Sequence, residues 1–452
     1  MGAKIAIFGA GQSGQAVRRL AQSLGHASVL FDESGQGDAD SFSQADLARF
    51  DTFVFSPGFA ADHPWRRLAA GAGRPCLSEL AYAAPHWRGP LIGITGTNGK
   101  TTLTQLLADA LAEVRRKEVV ANVACPLADA SVAPSPMQAL ASEHATLQAL
   151  ALGNIGYPLA DAVRSPANKK GACAVVEISS FQAELSQSLR LDGLLWTNFA
   201  EDHLDRYTSM DAYFEAKAQL FECLKPGAHC VVGRSVLPYM ERRVGSCAEC
   251  HPADPDTALL AELQADSVFR RRPNIENFNL AAAWWTRSGL PVDALIQAAD
   301  AFKPAPHRLT PVAECGDVRF WNDSKATNFL AALAAVESVA PPIVWIGGGR
   351  AKGGDLPSFA RSIAARVDVA VLYGEVAEAL AAAMHGQPVR VVRFDKFSDA
   401  VQAAAILGGE MPGANVVLSP GFASFDQFDA YSARGKMFSD MVLGLKNARR
   451  PR

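Results

Sequence analysis

Gly93-Ile94-Thr95-Gly96-Thr97-Asn98-Gly99-Lys100-Thr101-Thr102 decides the fold of this chain. Leu91-Ile92 leads in as an apolar run, and Leu103, Leu106 and Leu107 follow at helical spacing. The pattern predicts strand, glycine-rich loop and helix. Glycine lets backbone N–H groups approach a polyphosphate because no side chain stands in the way. Lys100 is placed to reach the outer phosphates, and Thr101 to offer a hydroxyl to a bound Mg²⁺. The usual phosphate loop has a glycine where Ile94 stands; here the glycines fall at Gly93, Gly96 and Gly99.

Outward from the loop, the chain reads as three α/β regions. Residues 1–87 begin with Ile5-Ala6-Ile7-Phe8, a continuous apolar run that predicts a buried parallel strand. Gly9-Ala10-Gly11-Gln12-Ser13-Gly14 then opens a helix, Ser28 to Phe31 predicts the next strand, and Asp32 ends it. This is a G-x-G-x-x-G fingerprint with an acid 18 residues beyond its last glycine. Alone it fits a dinucleotide site or another nucleotide diphosphate. Ser56-Pro57-Gly58 follows the strand Thr52–Phe55, where ligands of open α/β sheets bind.

Residues 88–303 carry the phosphate loop and further strands at Ala174–Ile178 and Leu194–Asn198. Glu177 is a carboxylate near the end of a buried strand, which calls for a cation or a donor. His203 stands in the acidic run Glu201-Asp202-His203-Leu204-Asp205, and Lys217 on a following helix. Asn122–Ala130 nearly repeats Asn154–Ala162 at an offset of 32, with an Ala/Ser/Pro-rich stretch between. The segment around 113–152 reads as an insertion forming a loop or an extra helix. Residues 304–452 show strands at Pro342–Ile346, Val367–Leu372 and Asn415–Leu418, a second doubly wound pattern.

Composition excludes several classes. Of 452 residues, 49% are apolar and 20% charged, and the net charge is −3, so nothing predicts a nucleic-acid partner. No run of eighteen apolar residues predicts a membrane span, and no signal-peptide pattern opens the chain. A cytoplasmic monomer with reduced cysteines is the expectation. Cys247-Ala248-Glu249-Cys250-His251 matches a haem-attachment pattern but has no export signal or second ligand pair.

The loop resembles the ATP loop of the Mur ligases, cytoplasmic enzymes that build the peptidoglycan stem peptide. Glu177-Ile178-Ser179-Ser180-Phe181-Gln182, Glu201 to Tyr207, His307-Arg308, Asn322-Asp323-Ser324-Lys325-Ala326-Thr327-Asn328 and Ser419 to Phe428 extend the resemblance over nearly the whole chain. It implies three domains, Rossmann-like at both ends and a P-loop ATPase-type parallel sheet in the centre. It implies an ATP-dependent amide ligase that adds glutamate, D-glutamate favoured, to UDP-N-acetylmuramoyl-L-alanine through an acyl phosphate.

The resemblance also implies roles. Gly96, Thr97, Asn98, Gly99, Lys100, Thr101 and Thr102 would hold ATP, with Asn274 and Asn277 at the adenine, Arg308 at a phosphate and Asp323 at the ribose. Thr101, Glu177, His203 and a carbamylated Lys217 would hold two Mg²⁺ ions. Lys100, Glu177, His203, Lys217 and Arg308 would be catalytic. Gly11, Ser13, Asp32, Ser56, Pro57, Gly58, Asn154, Ser179 and Gln182 would meet the UDP substrate. Lys325, Thr327, Lys352, Ser424 and Tyr431 would meet glutamate. Thr310 and Tyr431 depart from the family pattern and leave L-glutamate as an alternative. An NAD-dependent dehydrogenase built on Gly9–Gly14, or a non-catalytic nucleotide-binding scaffold, are the alternatives from other classes; the first gives the phosphate loop no role.

Overall fold

A computed structural model describes residues 2–121, 149–242 and 250–448. Among the described residues, three sheets with helices between their strands form an α/β architecture. By packing, it forms two compact units. The first contains Met1–Phe199, Asp211–Arg270 and Glu276–Phe302; the second contains Ala200–Met210, Arg271–Ile275 and Lys303–Arg452.

The first unit holds two sheets. One has four parallel strands, β1 (Lys4–Phe8), β2 (Ala27–Phe31), β3 (Thr52–Phe55) and β4 (Cys76–Ser78), in the order β2-β1-β3-β4. Phe8, Phe31, Phe42, Phe53 and Phe55 fill its core. The other has six parallel strands: β5 (Leu91–Thr95), β6 (Ala149–Gly153), β7 (Cys173–Glu177), β8 (Leu191–Trp196), β9 (Leu224–Val232) and β10 (Cys250–Pro252). Their order is β10-β9-β8-β5-β7-β6, so the strand feeding the phosphate loop is central. Burial on both faces explains why β5 and β7 read as continuous apolar runs. The helix Lys100–Ala121 packs on this sheet through Leu103, Leu106, Leu107 and Leu111.

The second unit holds a six-stranded sheet. Its strands are β11 (Thr310–Cys315), β12 (Val318–Asn322), β13 (Ile343–Gly348), β14 (Val369–Tyr373), β15 (Arg390–Phe394) and β16 (Asn415–Gly421), in the order β11-β12-β16-β13-β14-β15. Only β11 runs antiparallel, paired with β12 in a hairpin. The ends of β12, β13 and β16 carry Asp323, Gly349 and Phe422, placing three predicted site segments along one sheet edge.

The sequence-predicted strands all form, with ends shifted by a few residues. Asn122–Ala130 and the stretch to Gln148, which hold one copy of the near-repeat, lie outside the described residues, as does Cys247. Cys250 and His251 sit in β10. Among the described residues, no helix is long and apolar enough to cross a membrane.

Candidate active site

The phosphate loop connects β5 to the helix Lys100–Ala121 as predicted. Gly96 and Gly99 take φ of 138° and 80°, which side-chain-bearing residues rarely adopt. A Cβ on Gly96 would lie 1.9 Å from Thr197 Oγ1, and one on Gly99 2.3 Å from Asn277 Oδ1. The loop is pinned from the end of β8: Thr97 N donates to Asn198 O and Asn98 N to Asn198 Oδ1, both at 2.9 Å. Lys100 Nζ donates back to the loop's own carbonyls, Gly96 O at 2.9 Å and Thr97 O at 2.8 Å. Thr102 is buried in the first turn of the helix.

Glu177 comes to the same place from the end of β7. It is 2% exposed, so its charge needs partners. Thr101 Oγ1 donates to Oε2 at 2.7 Å and Asn154 Nδ2 to Oε1 at 2.9 Å. Two predicted residues from separate segments thus converge on the carboxylate of a third. Lys217 is 1% exposed; its Nζ donates to Gly96 O at 3.0 Å and lies 5.0 Å from the Tyr213 ring centroid.

The Gly9–Gly14 loop follows β1 in the same unit. Asp32 braces it by accepting from Ala10 N at 2.6 Å. The Ser34 hydroxyl and that amide together hold the Asp32 carboxyl below its ordinary range. Ser56 Oγ reaches Gly9 O at 3.4 Å, which places Ser56-Pro57-Gly58 beside the glycines. Gly11 caps the helix Gln12–Ser23, and Ser13 lies in its first turn. Gln12 Nε2 donates to Gly156 O, so this loop meets the Asn154 turn. Ser179 and Gln182 form a reciprocal cap on the short helix after β7. Glu79 accepts from Ala160 N at 2.6 Å; burial pushes its carboxyl up to about 7.

In the second unit, the Asp202 side chain is buried and lines a pocket with Lys352, Thr327 and Asn328. Lys352 Nζ is 3.2 Å from Asp202 Oδ1 and 3.2 Å from Thr327 Oγ1, while Asn328 Nδ2 donates to Asp202 Oδ2 at 3.0 Å. Burial works to raise the Asp202 carboxyl, but Lys352, His203 and Asn328 outweigh it and hold it below its ordinary range. Gly353 and Phe422 complete the walls. Lys325 Nζ lies 4.0 Å from the Tyr431 ring centroid, a cation–π contact. Ser424 is 2% exposed at the end of β16. His203 has φ 57° and its ring is 3.7 Å from Asp202.

Arg308 stands between His307 and Leu309, at φ 65° and 48°. Asp323 accepts from Leu309 N at 3.0 Å and from Ser419 Oγ at 2.8 Å, and burial pushes its carboxyl up to about 7. Asn277 lies against Gly99 in the first unit, and Asn274 opens the helix Asn274–Arg287. Sequence reasoning missed Asn198, Asp202, Asn328 and Ser419 as partners. It also missed Arg434, fully buried and donating to Ser324, Tyr373 and Phe422 O. Asn198 closes a predicted strand and Asn328 closes the Asn322 run, so those two carried a positional signal. Arg434 carried none, being one basic residue in a polar helix.

The Mur ligase middle domain matches residues 94–239, and the Mur ligase glutamate ligase domain matches residues 307–421. The UDP-N-acetylmuramoylalanine–D-glutamate ligase of Pelotomaculum thermopropionicum is 31% identical over 98% of this chain and 98% of its own length. The chain belongs to the Mur ligase family. The ligase of the same name from Desulfatibacillum aliphaticivorans is 32% identical, covering 91% of this chain and 87% of that relative. Among solved structures, the UDP-N-acetylmuramate–alanine ligase MurC of Thermotoga maritima aligns with a TM-score of 0.57 at 13% identity, over 98% of this chain and 99% of that one. MurF of Acinetobacter baumannii aligns with a TM-score of 0.56 at 15% identity, over 88% of this chain and 93% of that one. At such identities the two structures establish the Mur ligase fold alone.

Oxygen ligands suit a hard cation such as Mg²⁺, which takes few protein ligands and completes its shell with phosphate oxygens and water. Thr101 and Glu177, with oxygens 2.7 Å apart, fit that requirement. Among the described residues no three or more His, Cys, Asp or Glu cluster as a metal cage.

Proposed function

We propose that this Mur ligase joins D-glutamate to UDP-N-acetylmuramoyl-L-alanine with consumption of ATP. The observation that carries the reading is Glu177, a buried carboxylate shared by Thr101 of the phosphate loop and Asn154 of the neighbouring turn. It joins a nucleotide-binding element to one suited to the acceptor. The near-full-length likeness to two D-glutamate ligases supports the same choice.

A carboxylate resists attack by an amine because its charge repels the nucleophile and oxide is a poor leaving group. Transfer of the γ-phosphoryl of ATP to the alanyl carboxylate makes an acyl phosphate and releases ADP. The glutamate amine then attacks the carbonyl, and the tetrahedral adduct expels phosphate to leave an amide. Such phosphoryl transfer depends on positioning and charge neutralisation. Lys100 neutralises the outer phosphates once it leaves its loop carbonyls. Gly96 to Thr102 present N–H groups, Asn274 and Asn277 take the adenine, and Arg308 meets a phosphate.

Thr101 and Glu177 would hold a Mg²⁺, and His203 a second. When bound, the ions screen phosphate charge. An ammonium at Lys217 would repel them, so we infer that Lys217 acts as its carbamate, an anionic oxygen donor. Gly11, Ser13, Asp32, Ser56 to Gly58, Asn154, Ser179 and Gln182 serve the UDP substrate. Lys325, Thr327, Lys352 and Ser424, with Tyr431, suit an amino acid carrying two carboxylates. Residues 1–87, 88–303 and 304–452 then correspond to acceptor-, ATP- and glutamate-binding modules.

Phosphate release from ATP, with UDP-N-acetylmuramoyl-L-alanine and each glutamate enantiomer, tests the reading. Release with D-glutamate alone is expected. Release with L-glutamate alone would transfer the reading to the other enantiomer, and no release with either would sink it.

A further inference from the structure

Gln12 stands between Gly11 and Ser13, two residues of the glycine loop proposed for the UDP substrate. Its backbone opens the helix Gln12–Ser23, yet its side chain reaches another segment: Nε2 donates to Gly156 O. Gly156 lies in the turn Gly153–Tyr157, between β6 and the helix Leu159–Arg164. The turn closes on itself, Gly156 N donating to Gly153 O at 3.0 Å and Gly153 N to Tyr157 O at 2.8 Å. Gly153 and Gly156 take φ of 86° and 114°, a path that glycine permits.

The two ends of the turn are held differently. At Gly153 packing is tight, and a Cβ there would lie 2.4 Å from Glu177 O. Asn154 adds two bonds to the same residue, N to Glu177 O and Nδ2 to Glu177 Oε1, both at 2.9 Å. At Gly156 a Cβ would meet nothing within 4 Å, so packing leaves that side open. The bond from Gln12 ties that end down. The helix beyond the turn has its own anchors: Glu79 Oε1 accepts from Ala160 N at 2.6 Å, and Arg19 grips Asp161 at 2.9 and 2.6 Å. A neutral amide suits the place, since it satisfies a carbonyl without adding a charge to the loop.

We propose that Gln12 is a latch, a positioning residue that seats the Asn154 turn against the glycine loop and so sets where Asn154 meets the acceptor. The side chain in the middle of the loop then touches protein rather than substrate. This rests on the reading that the glycine loop and Asn154 meet the UDP substrate, and on no assumption about ATP or the amino acid.

Gln12→Met keeps the length of the side chain and removes its donor; the residue is exposed, so the fold should persist. Hydrogen exchange of the free full chain over residues 153–157 is expected to quicken about three- to tenfold, the loss of one neutral hydrogen bond. Equilibrium binding of UDP-N-acetylmuramoyl-L-alanine, without nucleotide, should weaken by a similar factor. Asn154→Ala should weaken it at least as much, and adding Gln12→Met to that variant should cost little more, because the latch acts through Asn154. Arg19→Ala cuts the exposed pair with Asp161 and should leave both measurements near wild type.

Unchanged exchange in Gln12→Met, losses that multiply in the double variant, or the same two changes in Arg19→Ala would each overturn the latch. A wild-type chain that does not bind UDP-N-acetylmuramoyl-L-alanine would instead remove the acceptor reading, and the latch's purpose with it, while the exchange rates would still show whether Gln12 holds the turn.

Discussion

Two turns of this molecule solve a similar problem by different means. The phosphate loop takes left-handed backbone at Gly96 and Gly99, where it costs little strain. The Arg308 turn takes it at His307 and Leu309, where it is strained, and holds it with Asp323, Lys325 and Gly435. In the first, conformation follows from residue type and is written locally. In the second, it is imposed by partners distant in the chain. In the proposed reading, a cradle that accepts phosphate needs bare backbone, whereas a turn that presents the Arg308 cation needs rigidity.

The contrast can be broken most sharply at the two lysines on Gly96 O. Lys100→Ala is expected to lower kcat/KM about a thousandfold, as removal of a phosphate-directed charge does, with little change in melting temperature. Lys217→Ala should lose comparable activity yet recover part of it with short carboxylates such as acetate or formate. Rescue of Lys100→Ala by the same acids, or failure of every carboxylate with Lys217→Ala, would contradict the roles given to the two side chains.

A second comparison sets Glu79 of the first unit beside Asp323 of the second, both carboxyls pushed up to about 7 by burial. Folded chains keep these protons as pH climbs, whereas unfolded chains release them near pH 4. The sign follows: each group lowers stability progressively as pH rises from about 4 to about 7. For Glu79 the loss is up to about 3 kcal/mol. Glu79→Gln removes that titration and should flatten the fall between pH 5 and pH 8 in urea unfolding. Parallel curves for variant and wild type would refute the buried-acid account.

Gly99→Ala probes the permissive turn directly. Its added methyl meets Asn277 at 2.3 Å and its φ of 80° becomes strained, for a destabilisation of about 2 kcal/mol together with weaker AMP-PNP binding. An unchanged melting point would show that the loop has slack the geometry does not display. The smallest effect is expected at Asn328→Ala, which removes the cap on Ala331 N at 3.0 Å and a bond to Asp202, for about 1 kcal/mol in a thermal melt.

What the sequence made legible follows the same division. β1, β5, β7 and β16 were readable because burial on both faces leaves continuous apolar runs. The β11–β12 hairpin escaped notice because its half-exposed strands mix polar and apolar residues and carry a bulge after Pro311. The phosphate loop announced itself through glycine spacing. The pairing of Asp202 with Lys352 did not, since 150 residues separate them and no local pattern marks either as the other's partner. Nor could chain order reveal that Ala200–Met210, lying between strands of one sheet, packs with the other unit.

That excursion has a practical consequence for anyone cutting or recombining this protein. A fragment starting at Lys303 would leave behind the segment that supplies Asp202, stripping Lys352 of its counter-ion and Asn328 of an acceptor. Swapping the tail with a homologue would pit the native Glu201-Asp202 against a foreign lysine. Residues 200–210 therefore belong to the inheritance of the carboxy-terminal piece, and chimaeras should carry both together.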